Sequence, residues 1–354
     1  MSTALTVIIA LLVFGFLIFI HEFGHYITAR IFKVTISEFS IGMGPKLLTY
    51  DSKKTGIRYC LSIFPIGGYV AMVGEDEDSD DPNAFNKKPA WQRLIITAAG
   101  ALVNIVAGLL AMIIIVACIN IGNTTVHSFI PESEFEGTEG IVYEASSEKY
   151  GLMAGDTITH VNGKRVVIAD ELSYEIMRQG NEPVDLTVIR GGETVTLYGV
   201  VFPTVTDSGQ TYGTLDFYVT RIDKNLGNTI TLAFRKSCLV MRMCWESIYD
   251  LITGRYTVAA VSGPVGISSA IGTAAQAGFI SLLNITVLIS INLGFMNLLP
   301  IPALDGGRLI TILVELITRK RLPAKVEGMI NGVGLALLLL LSAVIMVKDV
   351  IQLF

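Results

Sequence analysis

Two histidines and a glutamate, His21-Glu22-Phe23-Gly24-His25, close an almost unbroken apolar run from Ala4 to Ile20. The stretch reads H-E-x-x-H. On a helix, residues four apart share a face, so His21 and His25 can aim imidazole nitrogens at one metal ion. Glu22 falls beside them, where it can take a proton from a water activated by that metal. The pattern is short and also occurs by chance in soluble helices. In a charge-free apolar helix it is harder to dismiss, because core histidines there need hydrogen-bond partners and ionisable groups are costly in lipid.

A zinc site built on two histidines needs a third protein ligand and an open position for water. The stretch Asn297 to Gly307, NLLPIPALDGG, offers one. It lies in a second long apolar segment, from about Phe279 to Leu316. Pro300 and Pro302 remove backbone donors and break the helix. Asp305 then stands in an irregular, glycine-flanked turn at membrane depth, where such backbone is tolerated only if packed in protein or lining a wet cavity. Asp305 is therefore the natural third ligand.

Composition fits this picture. The chain has 354 residues, 51% hydrophobic and only 16% charged, with a mean hydropathy of +0.59. That is too apolar for an ordinary soluble enzyme and suits a multi-spanning membrane protein with a modest soluble part. The net charge of -5 gives a nucleic-acid partner no electrostatic support. Cys60, Cys118, Cys238 and Cys244 show no C-x-x-C spacing and are read as unpaired thiols. The start, MSTALT, lacks a basic leader and reads as a retained membrane helix rather than a removable signal.

Four spans position the candidate residues. Segment one covers about Leu5 to Phe32. At ~1.5 Å per residue His21 lies roughly 24 Å along it, in the far part of a ~30 Å hydrocarbon core. Residues 33 to 92 carry Lys33, Lys46, Lys53, Lys54, Arg58, Lys87 and Lys88, with Arg93 just after. The positive-inside bias makes this loop cytoplasmic and both chain termini extracytoplasmic. Within it, IRYCLSIFPIGGYVAMV has β-type composition with a Gly-Gly turn after Pro65. It is either a surface hairpin or one that dips toward the metal and offers a strand edge to substrate. The acidic run Glu75 to Asp81 lacks calcium-ligand spacing and reads as a solvated loop.

Segment two runs from about Leu94 to Ile121, with Asn104 as its one buried-looking polar residue, expected to bond a neighbouring helix. A soluble insert follows, from about 125 to 205. Residues 226 to 252 then place Leu226, Ile230, Phe234, Cys238, Met241, Trp245, Ile248 and Ile252 on one helical stripe. That helix lies either on the outer membrane surface or in the core of the soluble domain. Segment three, from about Phe279, breaks at Pro300. Arg308, Arg319, Lys320, Arg321 and Lys325 follow on the cytoplasmic side, and segment four, about Gly328 to Val347, returns outward. His127 and His160 stand away from the motif and read as surface residues.

HEFGH together with N-x-x-P-x-P-x-L-D-G, both in membrane segments, resembles the site-2 protease family of intramembrane zinc metalloproteases, in its bacterial PDZ-containing, anti-sigma-factor-cleaving branch. The likeness covers nearly the whole chain. It extends through FSIGMGP at Phe39 to Pro45, IFPIGGYVAMVGE at Ile63 to Glu75, AFNKKPAWQR, AGALVN at Ala99 to Asn104 and SGPVGI at Ser262 to Ile267. One departure is Ala101, where the family usually has proline. G-L-x-x-G-D-x-I-x-x-V-N-G in the insert resembles a PDZ domain, with its peptide-binding loop near Gly137 to Val142.

The resemblance implies a polytopic α-helical membrane protein with four transmembrane segments, a membrane-associated β-hairpin and one inserted extracytoplasmic PDZ-like, β-rich α+β domain. Its parts are residues 1–124 (segments one and two with the hairpin loop), 125–205 (the PDZ-like domain), 206–277 (amphipathic helix and connector) and 278–354 (segments three and four). It implies zinc held by His21, His25 and Asp305, with Glu22 as base and no further cofactor. Asn297, Gly42, Gly44, Gly67 and Gly68 would contact substrate. Substrates would be single-span membrane proteins already trimmed by another protease: anti-sigma factors, signal-peptide remnants or pheromone precursors. The protein would sit in the cell membrane among lipid, with its active site toward the cytoplasm and the PDZ domain outside, where the domain could reject bulky substrates. Two other classes compete: a catalytically inactive scaffold that presents its PDZ domain, which metal analysis would separate, and a transporter, which predicts inverted repeats not visible here.

Overall fold

The computed structural model describes residues 2–75, 77–135, 141–142, 146–207, 210–255, 261–321 and 323–351. Its helices are α1 Thr3–Ile31, α2 Ala90–Cys118, α3 Glu132–Phe135, α4 Ala169–Gln179, α5 Leu226–Ile252, α6 Pro264–Ala277, α7 Phe279–Leu298, α8 Asp305–Thr318 and α9 Ala324–Ile351. The chain divides into two compact units, residues 1–112 with 240–354, and residues 113–239. Among the described residues, four helices are long and apolar enough to cross a membrane: Thr3–Ile31, Ala90–Cys118, Phe279–Leu298 and Lys325–Asp349. These are the four apolar segments read from the sequence, and they make the chain a helical membrane protein that also carries β-sheet.

Local chemistry sets the helix ends around the site. The Ser2 hydroxyl accepts from the Leu5 N–H and caps α1. At the other end Lys33 turns left-handed (φ 56°) and the Val34 N–H returns to the Ala29 carbonyl, which stops the helix. Leu299 is extended because Pro300 follows it, so α7 cannot continue. The chain then folds back over Leu299 to Ala303 and restarts as α8 at Asp305.

In the first unit, two strands follow α1: β1 Ile36–Asp51 and β2 Arg58–Met72. Both bend sharply. Glu38–Ile41 lies between the two arms of β2, with Ile41 opposite both Gly68 and Leu61, while Leu48 to Asp51 pairs with Leu61 to Arg58. The connecting turn is therefore at Ser52 to Ile57, not at Gly67-Gly68. The expected Gly-Gly turn is a bend within β2, whose far arm pairs with β1 instead of with its own first half. Gly42 and Gly44 make the matching bend in β1, at φ 84° and 88°. A Cβ at Gly42 would lie 2.5 Å from the Phe64 carbonyl oxygen, so a side chain there would block the fold. Beneath the hairpin, Ala29, Phe39, Val70, Phe85 and Ile96 form a buried apolar core.

The second unit holds the insert. Its strands are β3 Gly122–Phe129, β4 Ile141–Val142, β5 Thr157–Val161, β6 Lys164–Arg165, β7 Val184–Arg190, β8 Glu193–Val200, β9 Thr204–Asp207, β10 Gln210–Gly213 and β11 Phe217–Arg221. The larger sheet runs in the order β11-β3-β5-β7-β8, with β6 on β5, and the smaller in the order β10-β9-β4. Alternation along β7 buries Val184, Leu186 and Val188 against Ile158, Leu172 and Ile176 of neighbouring elements. The sheet starts at Gly122 and closes with β11 on β3, so the folded insert extends beyond the 125–205 read from the sequence. Residues 137–140 of the expected peptide-binding loop lie outside the described residues. The stripe from Leu226 to Ile252 is helical throughout, as α5.

Candidate metal centre

His21 and His25 lie one turn apart on α1, and both are buried. Asp305 opens α8. Its position is fixed by close packing of the preceding loop on the first turn. A Cβ at Gly306 would fall 1.9 Å from the Leu299 carbonyl oxygen, and one at Gly307 would fall 2.6 Å from that of Ile301. Only the Gly-Gly pair lets the loop reach that close. Ala303 adopts φ 73°, and its N–H donates to Asn331 Oδ1 at 3.3 Å. A carboxylate in the first turn of a helix also faces the positive end of the backbone dipole.

The three side chains converge. Asp305 Oδ2 is 3.2 Å from His21 Nε2 and 3.4 Å from His25 Nε2, and the two imidazole nitrogens are 3.3 Å apart. A tetrahedral zinc with bonds of about 2.0–2.1 Å requires ligand atoms about 3.3 Å from each other. The three atoms thus occupy one face of such a tetrahedron. Hydrogen bonding alone does not account for the arrangement: Asp305 Oδ2 is buried with no hydrogen-bond partner. His25 Nδ1 lies 2.8 Å from the Ile96 carbonyl, which only accepts, so Nδ1 carries the proton and Nε2 presents a lone pair to the centre. Lone pairs and a carboxylate oxygen pointing together repel unless a cation lies among them. The residues fit a zinc ion.

α2 shapes the far wall. A Cβ at Gly100 would lie 2.3 Å from His25 Nε2, and one at Gly24 would lie 2.6 Å from the Ala99 carbonyl oxygen. Two glycines facing each other across the helices let α2 approach close enough for Ile96 to hold the ring. Sequence reasoning missed this role of Ile96 and Gly100. A backbone acceptor leaves no side-chain signal, and only the AGALVN stretch pointed to the helix.

Glu22, half-buried, opens with His21, His25 and Asp305 onto a cavity of about 450 Å³. Val70 presents its backbone N–H to the Glu22 carboxylate, and Gly68 packs against the Glu22 side chain. Tyr69, Thr97, Glu75, Arg308 and Asn331 complete much of the polar lining. Arg308, one turn after Asp305, is ion-paired with Glu75 and lies 3.7 Å from Glu327. The structure thus brings together Glu22, His21, His25 and Asp305, with Gly68 against Glu22. Gly42, Gly44 and Gly67 stand at the bends of the hairpin. Asn297 is in the last turn of α7, partly buried, and is not on the cavity wall.

Comparison with known proteins agrees with this geometry. The profile of peptidase family M50 matches residues 9–341. A relative in Clostridium acetobutylicum is 35% identical over 98% of this chain and 97% of its own length. One in Fusobacterium nucleatum is 34% identical over 99% of this chain and 100% of its own. Both are named as zinc metalloproteases. The zinc metalloprotease RasP of Geobacillus kaustophilus is 27% identical over 100% of this chain and 99% of its own length.

Proposed function

The chain belongs to peptidase family M50, the zinc metalloproteases of site-2 protease type, and from that premise we propose that it hydrolyses peptide bonds within or near the membrane-spanning segments of single-span proteins. One observation carries the reading. The three ligand atoms and Glu22 open onto the same cavity, and both histidines stand on a helix apolar enough to lie in lipid.

His21, His25 and Asp305 would hold the zinc. When bound, the zinc polarises the scissile carbonyl and acidifies the attacking water. Glu22 accepts the proton as the water oxygen bonds to the carbonyl carbon, and then delivers it to the leaving amine as the C–N bond breaks. The Val70 N–H and the Gly68 contact keep Glu22 turned toward the cavity. The Ile96 carbonyl holds His25 in the tautomer that leaves Nε2 free for the metal.

A folded helix hides its carbonyls in its own hydrogen bonds, so the substrate segment must unwind before cleavage. The far arm of β2, which carries Gly67 and Gly68 and passes beside Glu22, is suited to hold the unwound strand by β-addition. Gly42 and Gly44, which bend β1, and Asn297 are further candidates for substrate contact. The lysines and arginines near the ends of α1 and α8 favour a cytoplasmic-side active site in the cell membrane. The sheet-and-helix insert supports a PDZ-like role in capturing peptide ends freed by an earlier protease. By its place in the chain, between the second and third spans, it is also the part suited to reject bulky substrates. Anti-sigma factors, signal-peptide remnants and pheromone precursors all meet these requirements.

Glu22→Gln tests the reading. The variant keeps the ligands and loses the base, so it should retain zinc and fold while uncleaved membrane peptides accumulate in cells carrying it. Turnover within a few-fold of wild type would remove Glu22 from the chemistry.

A further inference from the structure

Among the described residues of the spanning helices, two have buried side-chain atoms with no hydrogen-bond partner: His21, at Nδ1, and Asn104, at both Oδ1 and Nδ2. Asp305 Oδ2, likewise buried without a partner, is explained by the metal. The other two are not. Asn104 is wholly buried. It was expected to bond a neighbouring helix; its Cβ lies against Gly294 of α7, but the bond α7 makes is to its backbone carbonyl, which accepts from Ser290 Oγ at 2.9 Å. An amide kept dry in an apolar bundle with every bond open calls for a reason.

The register of α1 against α2 supplies one. Phe32 stacks edge-on with Trp91, His25 meets Ile96 and Gly100, and Gly24 meets Ala99 and Gly100. As residue numbers fall along α1, those of the facing residues rise along α2, so the helices run antiparallel. One turn back from His25 is His21, and one turn on from Gly100 is Asn104. The two open groups therefore stand at the same level of the bundle.

We propose that Asn104 is the positioning residue of His21, its amide oxygen accepting the Nδ1 proton directly after a side-chain rotation or through one bridging water. Zinc on Nε2 leaves Nδ1 protonated, and a protonated ring nitrogen in a dry site needs an acceptor. His25 has the Ile96 carbonyl, and Asn104 does the same for the other ligand. The remaining amide N–H groups can donate to backbone carbonyls or to the same water. The inference rests on zinc ligation by His21 and not on which substrates the enzyme cleaves.

The test follows metal retention by the full-length protein in detergent. Wild type is first shown to hold one zinc, which separates failure of the site itself from failure of this proposal. Asn104→Leu should then release zinc to a chelator about 10- to 100-fold faster, the range for lost outer partners of metal-bound histidines. Its cobalt-substituted visible spectrum should shift, and Asn104→Asp, which restores an acceptor, should recover retention. A folded Asn104→Leu protein with wild-type release and an unchanged spectrum would overturn the proposal. If that variant does not fold, histidine-labelled NMR of the wild-type zinc form decides: a protected His21 Nδ1 proton whose resonance moves in Asn104→Asp supports the proposal, and one exchanging freely with solvent overturns it.

Discussion

Gly100→Ala should cost this protein its zinc, although helix propensity alone predicts the opposite of damage. Alanine is favoured over glycine in a helix interior by about 1 kcal/mol, so a purely local argument expects a stabilised α2. The tertiary contact reverses the sign. The added methyl would lie 2.3 Å from His25 Nε2, whereas ordinary contact begins at 3.4 Å, so about 1.1 Å of movement is needed. The ring cannot supply it cheaply, because Nδ1 is bonded to the Ile96 carbonyl at 2.8 Å on the same helix that pushes. Metal–ligand distances tolerate only about 0.2 Å. Displacement five times larger breaks the triangle of His21, His25 and Asp305. Overpacking of this kind typically costs about 1–3 kcal/mol, which outweighs the propensity gain. Zinc bound per purified chain, with chelator-release kinetics, is the assay. Gly108→Ala is the control: its methyl would press on Ile291 Cγ1 at 2.6 Å, away from any ligand, and should change stability without changing metal. Wild-type zinc retention in folded Gly100→Ala would refute the claim that α2 sets the position of His25.

Three further outcomes are expected. Asp305→Ala should purify with little zinc, since Asp305 Oδ2 is one of the three donor atoms that converge on the centre; full metal content in that variant would place the third ligand elsewhere. Glu315→Ala should destabilise the first unit by about 3 kcal/mol, because it strands Arg93, which is 5% exposed and paired with Glu315 at 2.5 Å. Introducing Arg93→Glu together with Glu315→Arg should recover part of that loss in thermal unfolding, and no recovery would mean that the pair is not the cause. In the second unit, burial pushes the Asp156 carboxyl up, but the two hydrogen bonds from Arg190 and one from the Met153 N–H outweigh it and hold the group below its usual value. The stability contributed by Asp156 is therefore present above the unfolded-state value near 3.8 and lost as pH falls through the lower folded-state value. Hydrogen exchange in β5 and β7 at neutral pH and again below pH 3.8 should show that loss, and Arg190→Met should bring it on already at neutral pH. Equal protection of the variant and wild type at neutral pH would argue against the pair.

Much of the chemistry was legible in the chain because it depends on local spacing. Residues four apart share a helix face whatever the fold, so HEFGH sets His21 and His25 side by side with Glu22 next to them. Length and apolarity declare the four spans for the same reason, and the period of the 226–252 stripe declares α5. Asp305 was legible because prolines and paired glycines at membrane depth are expensive unless they position something. The tertiary structure decided what depends on contacts across the sequence. The pairing of β2's far arm with β1 required knowing that both strands bend, and β11 joins the sheet through β3, some ninety residues earlier in sequence. Ile96 holds His25 through a carbonyl that every residue possesses, so no side chain could announce it. Gly100 reads as an ordinary small residue in a membrane helix until His25 is seen against it. Asn104 was visible as a polar residue out of place, but only the antiparallel register of α1 and α2 sets it level with His21. Spacing within one helix is fixed by covalent geometry and hydrogen bonding along the chain, whereas the level at which two helices meet is fixed by close packing, which hydropathy does not encode.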